Sequence, residues 1–254
     1  MIVFYAFIGL MAGGVINQLA DVFPIRHAKV RGAVCAACGQ PRSAIQLLAV
    51  TAYLTGRGDC RSCGRPIALR NIIVELIAPI MFLAIAMQPA FVEPLKLVLG
   101  WFHASVLLLV TVTDFEHRLI PERATLPAIA IAALTCWLWF WHAYWYVAFI
   151  GGLIGYAFFW LAVVVGNKAI GRGAMSRGDI TLAAYVGLIT GFPGIITALV
   201  VTILAGGIIS FILLLVRVVN LRSGIPYGPF IALGGFVAMV WGQQIMTRFF
   251  FGAG

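Results

Sequence analysis

The sequence predicts an all-α membrane protein of about eight transmembrane helices, with one sizeable polar segment between the first two. Apolar residues make up 63% of the chain and charged residues only 10%, and the mean hydropathy is +1.05. Apolar stretches of about 20 residues recur, which is the length that an α-helix needs to cross a bilayer. Such a chain can satisfy its backbone hydrogen bonds in lipid as a bundle of membrane-spanning helices.

Eight apolar segments are predicted to cross the membrane. They cover residues 1–20, 71–89, 95–113, 124–142, 145–166, 180–192, 194–216 and 229–250, and the sixth of them is short. We therefore expect three parts, which are a first transmembrane helix (1–20), a cytoplasmic domain (21–70) and a transmembrane domain (71–254).

The basic residues predict the orientation. Fifteen of the 17 Lys and Arg residues lie in four groups, at 21–70, 118–123, 168–177 and 217–222. Basic loops stay in the cytoplasm, so these groups are expected there and both termini outside. The net charge of +9 then reflects topology and contact with anionic membrane lipid, and it gives little reason to expect nucleic acid as a partner.

The polar segment carries two CxxC pairs with 21 residues between the inner cysteines. This spacing is typical of a tetrahedral zinc site, and the ligands would be Cys35, Cys38, Cys60 and Cys63. In a segment with few large apolar residues, the metal would replace a hydrophobic core. The alternatives are disulfides, which a reducing cytoplasm disfavours, and a redox relay, for which no thioredoxin-like pattern is present.

Two aspartates interrupt the apolar chain where predicted helices meet cytoplasmic turns. Asp114 ends the third span, and Asp179 begins the sixth directly after Gly178. Ionisable residues at a membrane boundary are costly, so both are candidate functional residues, and two close carboxyls can share a proton and activate water. The alternative is structural: Asp179 caps its helix, and Asp114 pairs with Arg118.

The whole chain resembles the bacterial type IV prepilin peptidases, which are membrane aspartyl proteases. The resemblance rests on elements in a shared order: Gly9–Gly13 with Asn17, the two CxxC pairs, Arg70 with Val74–Leu76, Asp114–Pro121, Gly178–Asp179 and Ile225–Gly234. It implies that Asp114 and Asp179 are the catalytic pair, with Gly178 in a supporting role.

The resemblance also implies the partners and the location. The substrate would be a prepilin or pseudopilin precursor whose leader stays cytoplasmic, and the enzyme would lie in the bacterial inner membrane as a multi-pass protein. Many members of the family also methylate the new N-terminus with S-adenosylmethionine. The alternative from another class is a proton-coupled membrane transporter or a thiol redox carrier, in which the aspartates bind protons and the cysteines exchange electrons.

Four residues in three segments depart from the family pattern. Ser176 stands where the first glycine of Gly-x-Gly-Asp is usual, and Thr181 where a lysine is usual. Ala78–Pro79 replaces a Thr-Gly pair in the segment associated with methyl transfer, and a proline there removes a backbone donor and bends the helix. Nearby Glu75 either pairs with Arg70 or takes part in binding substrate or S-adenosylmethionine.

Overall fold

The structure, a computed structural model, is all-helical in the residues that it describes. These are residues 1–23, 34–35, 38–41, 43–138, 144–169, 176–216, 226–250 and 252. The α-helices among them are α1 (Ile2–Val22), α2 (Ala49–Leu54), α3 (Leu69–Ala86), α4 (Pro94–His117), α5 (Glu122–Thr135), α6 (Tyr146–Ala169), α7 (Arg177–Leu215) and α8 (Gly228–Phe250). The all-α prediction is confirmed.

Six helices in this part of the chain are long and apolar enough to cross a membrane, namely α1, α3, α4, α6, α7 and α8. The predicted count of eight spans is therefore not confirmed. The difference has two sources. The segment predicted at 124–142 contains α5, which is only 14 residues long. The two segments predicted at 180–192 and 194–216 both fall within α7, which has 39 residues and is broken at Gly191 and Phe192, at the boundary between the two segments.

Helix α7 is broken near its middle. Gly191 has a φ of 57°, in the left-handed region that favours glycine, and Phe192 is extended with a ψ of 134°. A continuous helix tolerates neither conformation. The break separates a first half, 177–190, from a second half, 193–215.

The two halves of α7 run back along each other. Gly155 of α6 lies against the carbonyl of Ala183 in the first half and against the side chain of Ile195 in the second. Twelve residues of a straight helix would span about 18 Å, too far for one glycine to touch both ends. The chain therefore reverses at the break, and α7 is a pair of antiparallel helices.

The chain divides into two compact units, Met1–Leu109 and Val110–Gly254. In the second unit, small residues allow the helices to approach to backbone contact, as is common in membrane bundles. Gly151 of α6 lies directly on Gly187 of α7, and Gly234 of α8 lies on the carbonyl of Ala198. The hydroxyl of Thr202 lies in hydrogen-bond range of two carbonyl oxygens, that of Ala198 at 2.7 Å and that of Phe230 at 3.2 Å. These contacts hold the start of α8 beside α7.

In the first unit, α1 packs on α3 through two glycines. A Cβ on Gly9 would lie 2.5 Å from Pro79 Cα, and one on Gly13 would lie 2.8 Å from Glu75 Cα. Helix α3 continues through Pro79 without interruption from Leu69 to Ala86. The proline therefore lies in a tight helix contact, where its missing amide is tolerated.

Glu75 is a buried anchor for α2. Its carboxylate oxygens accept hydrogen bonds from the backbone amides of Ala49 and Val50, both at 2.8 Å. These amides begin α2 and have no partner within the helix. Arg70, which the sequence suggested as its partner, forms an ion pair with Asp21 at 2.7 Å. Helix α2 thus supplies donors to Glu75 that the sequence pattern did not reveal.

Candidate active site and metal centre

Asp114 is buried near the end of α4, with only 5% of its surface exposed. Its Oδ2 accepts a hydrogen bond of 2.9 Å from the backbone amide of Gly228, at the start of α8. A Cβ on Gly228 would lie 2.6 Å from that same oxygen, so only glycine allows the approach. The side chain of Asp114 is thus held by the α8 backbone, and the charge of Arg118, its partner in the structural alternative, also acts on it.

Asp179 is also buried, with 4% of its surface exposed, in the first turn of α7. The N-cap of this helix is Ser176, whose hydroxyl accepts from the amide of Asp179 at 3.3 Å. In return, Asp179 Oδ2 accepts from the Ser176 amide at 2.7 Å and from its hydroxyl at 3.0 Å. This reciprocal arrangement is a capping box. Asp179 therefore does take part in capping, as the structural alternative proposed, but as the third residue of the helix.

The loop after Asp114 and the segment before Asp179 meet at Ile120 and Gly178. Ile120 is buried, and a Cβ on Gly178 would lie 2.9 Å from Ile120 Cβ. Gly178 thus lets the two segments approach closely. Asp114 and Asp179 are within electrostatic range of each other. The structure places both predicted residues in one buried site of the second unit.

Tyr227 completes the surroundings of the pair. Burial raises the pKa of its hydroxyl, and the negative charge of Asp179 raises it further. The ring packs between Phe159 and Phe230, with centroid distances of 6.0 and 5.7 Å. A neutral phenol therefore lines the site beside Asp179.

This arrangement is suited to acid–base chemistry. In each carboxylate, one oxygen is held by the protein, and the other has no hydrogen-bond partner among the described residues. Two carboxyls close together in a buried site favour a state with one shared proton. Such a pair can activate water with one member and polarise a carbonyl with the other.

The four predicted metal ligands form a second site, in the first unit. The sulfur atoms of Cys35, Cys38, Cys60 and Cys63 all lie within 4.8 Å of one another. Cys35 and Cys63 are separated by 3.7 Å between Sγ atoms, as are Cys38 and Cys60. A tetrahedral zinc with Zn–S bonds of about 2.3 Å would place its sulfurs about 3.8 Å apart. The cluster could therefore hold a metal ion, and none of the five cysteines is in a disulfide.

Both cysteine pairs have the same backbone conformation. The glycines that follow them, Gly39 and Gly64, have φ values of 70° and 69°. Each glycine amide donates back to the carbonyl of the first cysteine of its pair, at 2.9 and 2.8 Å. The two turns are therefore alike, and a metal ion bound by the four thiolates would link them.

Comparison with known proteins identifies the family. The family model described as type IV leader peptidase matches residues 101–212, and that of the bacterial peptidase A24 N-terminal domain matches residues 7–89. The chain is 30% identical over 229 residues to the prepilin leader peptidase/N-methyltransferase of Aeromonas hydrophila, covering 89% of this chain and 77% of that protein. The chain belongs to the type IV leader peptidase family. It is a peptidase, as the resemblance implied.

Other relatives carry the same name. The prepilin leader peptidase/N-methyltransferase of Bacillus subtilis is 30% identical, with 84% of this chain and 83% of that protein covered. The one from Pseudomonas aeruginosa is 27% identical, with 85% and 73% covered. No solved structure matches the chain. These comparisons do not support the transporter or redox-carrier alternative.

The residues at the expected methyl-transfer segment do not fit S-adenosylmethionine. Glu75 is 1% exposed, and its oxygens are bonded to the amides that begin α2. Pro79 packs against Gly9, which leaves no space between α1 and α3 at this point. No step of the proposed reaction involves this cofactor.

Three residues of the active site were not among those predicted. Gly228 contacts Asp114 across 114 positions of the chain, so no local pattern reveals the pair. Tyr227 lies in the Ile225–Gly234 motif before the last helix, and the sequence indicated no role of its own for it. Ser176 had a visible signal, because Ser-x-x-Asp is the spacing of a capping box, although we interpreted it only as a replaced glycine.

Proposed function

We propose that this peptidase removes the leader from prepilin-like or pseudopilin-like precursors, with Asp114 and Asp179 as its catalytic pair. The observation that carries the proposal is the burial of both carboxylates in one site, each with one oxygen held by the protein. Buried carboxylates are rare and costly, so two of them in one site indicate a function. The names of the relatives supply the substrate class.

The reaction is the hydrolysis of one peptide bond. A water molecule adds to the scissile carbonyl carbon, the C–N bond breaks, and the leaving nitrogen takes up a proton. The ionised carboxyl of the pair takes a proton from the water, and the protonated one donates a hydrogen bond to the carbonyl oxygen. Tyr227 would line the pocket beside Asp179 as a neutral hydrogen-bond donor.

We also propose the topology. The reversal within α7 supports two crossings by this segment, and the distribution of Lys and Arg supports a cytoplasmic location for residues 21–70 and for the turns beside both aspartates. With a further crossing by α5, the crossings total eight, so both termini lie outside and both aspartates at one face of a bacterial inner membrane. A precursor whose first hydrophobic helix lies in the bilayer would present its leader at the face that carries the pair.

In the cytoplasmic part we propose one structural zinc ion, bound by Cys35, Cys38, Cys60 and Cys63. The matching backbone conformations of the two cysteine turns and the Sγ–Sγ separations of 3.7 Å support this assignment. Zinc would stabilise the segment between α1 and α3, and it is remote in sequence from the residues of the reaction.

Cleavage of a synthetic precursor by the purified protein tests the function. The substrate would carry a short basic leader followed by an apolar helix, in detergent micelles, and mass spectrometry would detect both fragments. We expect a single cut between the leader and the helix. Intact precursor after prolonged incubation with folded, zinc-loaded protein would refute the proposal.

Gly228→Ala is expected to lower kcat about tenfold or more, because the new Cβ would displace the Asp114 carboxylate. The matched control is Gly207→Ala in α7, where a Cβ would meet no atom within 4 Å. Initial rates on the synthetic precursor compare the two variants. Equal activity of both would show that the contact between Gly228 and Asp114 is not needed.

We expect methyl transfer to be weak or absent while cleavage persists, because Glu75 and Pro79 are already occupied by packing contacts. Incubation with precursor and S-adenosylmethionine, followed by mass measurement of the mature N-terminus, should give mainly unmethylated product. The double variant Ala78→Thr/Pro79→Gly should raise the methylated fraction. Complete methylation by the unaltered protein would contradict this prediction.

A further inference from the structure

Ser176 makes more contacts with Asp179 than helix capping requires. A cap needs only the hydroxyl oxygen as an acceptor for the Asp179 amide, which is present at 3.3 Å. In addition, the hydroxyl and the amide of Ser176 both donate to a single oxygen, Asp179 Oδ2, at 3.0 and 2.7 Å. One residue therefore binds the carboxylate through two donors.

Two donors restrain a carboxylate more than one does. With the amide alone, the carboxyl plane of Asp179 could turn about its Cβ–Cγ bond and still keep a hydrogen bond on either oxygen. A terminal carboxyl torsion is otherwise broad. With both donors converging on Oδ2, a partial rotation about this bond breaks at least one of the two hydrogen bonds. Oδ1 accepts no hydrogen bond from the described residues, so it is the oxygen left for reaction.

The position of Ser176 allows it to restrain the Asp179 carboxylate without itself reacting with the substrate. Its side chain lies outside the helix, at the N-cap, while Asp179 lies in the buried first turn. Its hydroxyl is occupied on both sides, as donor to Oδ2 and as acceptor from the Asp179 amide. Ser176 therefore has no free proton for substrate and can act only through Asp179.

We propose that Ser176 is a positioning residue, whose hydroxyl holds the Asp179 carboxylate by Oδ2 and presents Oδ1 to the reacting water or carbonyl. The proposal rests on the proposed function of Asp179. It assigns to this serine a role that a glycine at the same position could fill only with its backbone amide.

A purely structural role makes a different prediction. Loss of an N-cap lowers helix stability and leaves the chemistry of the folded enzyme unchanged. Loss of the donor to the charged oxygen of Asp179 lowers the rate at which bound substrate is cleaved. The effect should be measurable, because hydrogen bonds to charged groups are stronger than those between neutral groups. The turnover number and the thermal stability therefore separate the two roles.

The test compares Ser176→Ala, Ser176→Gly and Ser176→Thr on the synthetic precursor. Alanine and glycine lack the hydroxyl, and we expect kcat to fall about ten- to a hundredfold with KM changed less than about twofold. Threonine keeps both the donor and the acceptor, so kcat should return to within about threefold of the unaltered enzyme. Glycine is a better N-cap than alanine, so its variant should lose the rate with little loss of thermal stability.

Ser43→Ala is the matched control, because Ser43 forms a capping box with Gln46 in the first unit. It should lose a cap and keep kcat. Unchanged kcat in Ser176→Ala, or a threonine variant as slow as alanine, would overturn the positioning role while leaving the proposed function intact. If the unaltered protein cut no precursor, the proposed function would fail, and the positioning role with it.

Discussion

Asparagine in place of Asp114 or Asp179 is expected to lower kcat for precursor cleavage by about a hundred- to ten-thousandfold, the range that acid–base groups contribute. An asparagine oxygen can still accept from Gly228 at position 114, or from Ser176 at position 179, so the contacts of Oδ2 are retained. The amide can neither take a proton from water nor share one with its partner. The loss should therefore appear in the chemical step, with the fold and KM little changed.

Glu122→Gln is the matched control for these substitutions. Glu122 is an exposed carboxylate in the first turn of α5, in the same unit as the pair. Its replacement removes one negative charge and should leave the cleavage rate within about twofold, as is usual for exposed positions. Substantial turnover by either asparagine variant would refute the aspartyl mechanism.

Loss of the metal is expected to unfold the cysteine turns of the first unit. Structural zinc contributes about 10–16 kcal/mol of apparent binding energy in small domains, and little apolar packing is present here to replace it. Purified protein should contain about one zinc per chain, as four ligands at one tetrahedral site imply. Cys38→Ser/Cys60→Ser should abolish binding and remove the hydrogen-exchange protection of the segment from Cys35 to Cys63.

Cys136→Ala is the control for the cysteine variants, because Cys136 is buried in the second unit and lies outside the cluster. It should keep the full zinc content. Metal-free protein with unchanged protection of the cysteine segment would contradict the zinc assignment, and so would disulfides between these cysteines in protein prepared from a reducing cytoplasm.

The sites that the sequence could predict are those with local or topological signals. The cysteine cluster follows from ligand spacing, because two CxxC turns need only a short chain between them to meet. The proximity of Asp114 to Asp179 follows from topology, because both stand at helix ends that the basic residues place on one side. In each case a general constraint replaces knowledge of the tertiary contacts.

The partners of these residues could not be predicted in the same way. The contact of Gly228 with Asp114 and the capping of α2 by Glu75 join segments that are far apart in sequence, and neither depends on hydropathy. Charge suggests Arg70 as one partner for Glu75, but it gives no sign that the carboxylate also accepts from backbone amides at a helix start. Long-range hydrogen bonds to backbone leave no pattern in a single sequence.

Hydropathy alone does not give the ends of the helices. The chain is apolar from 124 to 138, yet α5 ends at Thr135 and a short 3-10 turn follows. In the region from 180 to 216, the break at Gly191 and Phe192 falls at the boundary between the two predicted segments, 180–192 and 194–216. Hydropathy records which residues lipid accepts, and backbone conformation decides where each helix ends.

The most direct test of the central claim is single-turnover cleavage by the Asp114→Asn/Asp179→Asn double variant, compared with each single variant at high enzyme concentration. If the two carboxylates act as one unit on one bond, removal of the second costs little once the first is gone. The double variant should then be no more than about threefold slower than the slower single variant. A double variant slower by the product of the two single effects would show that the aspartates act independently, and the paired mechanism would be wrong.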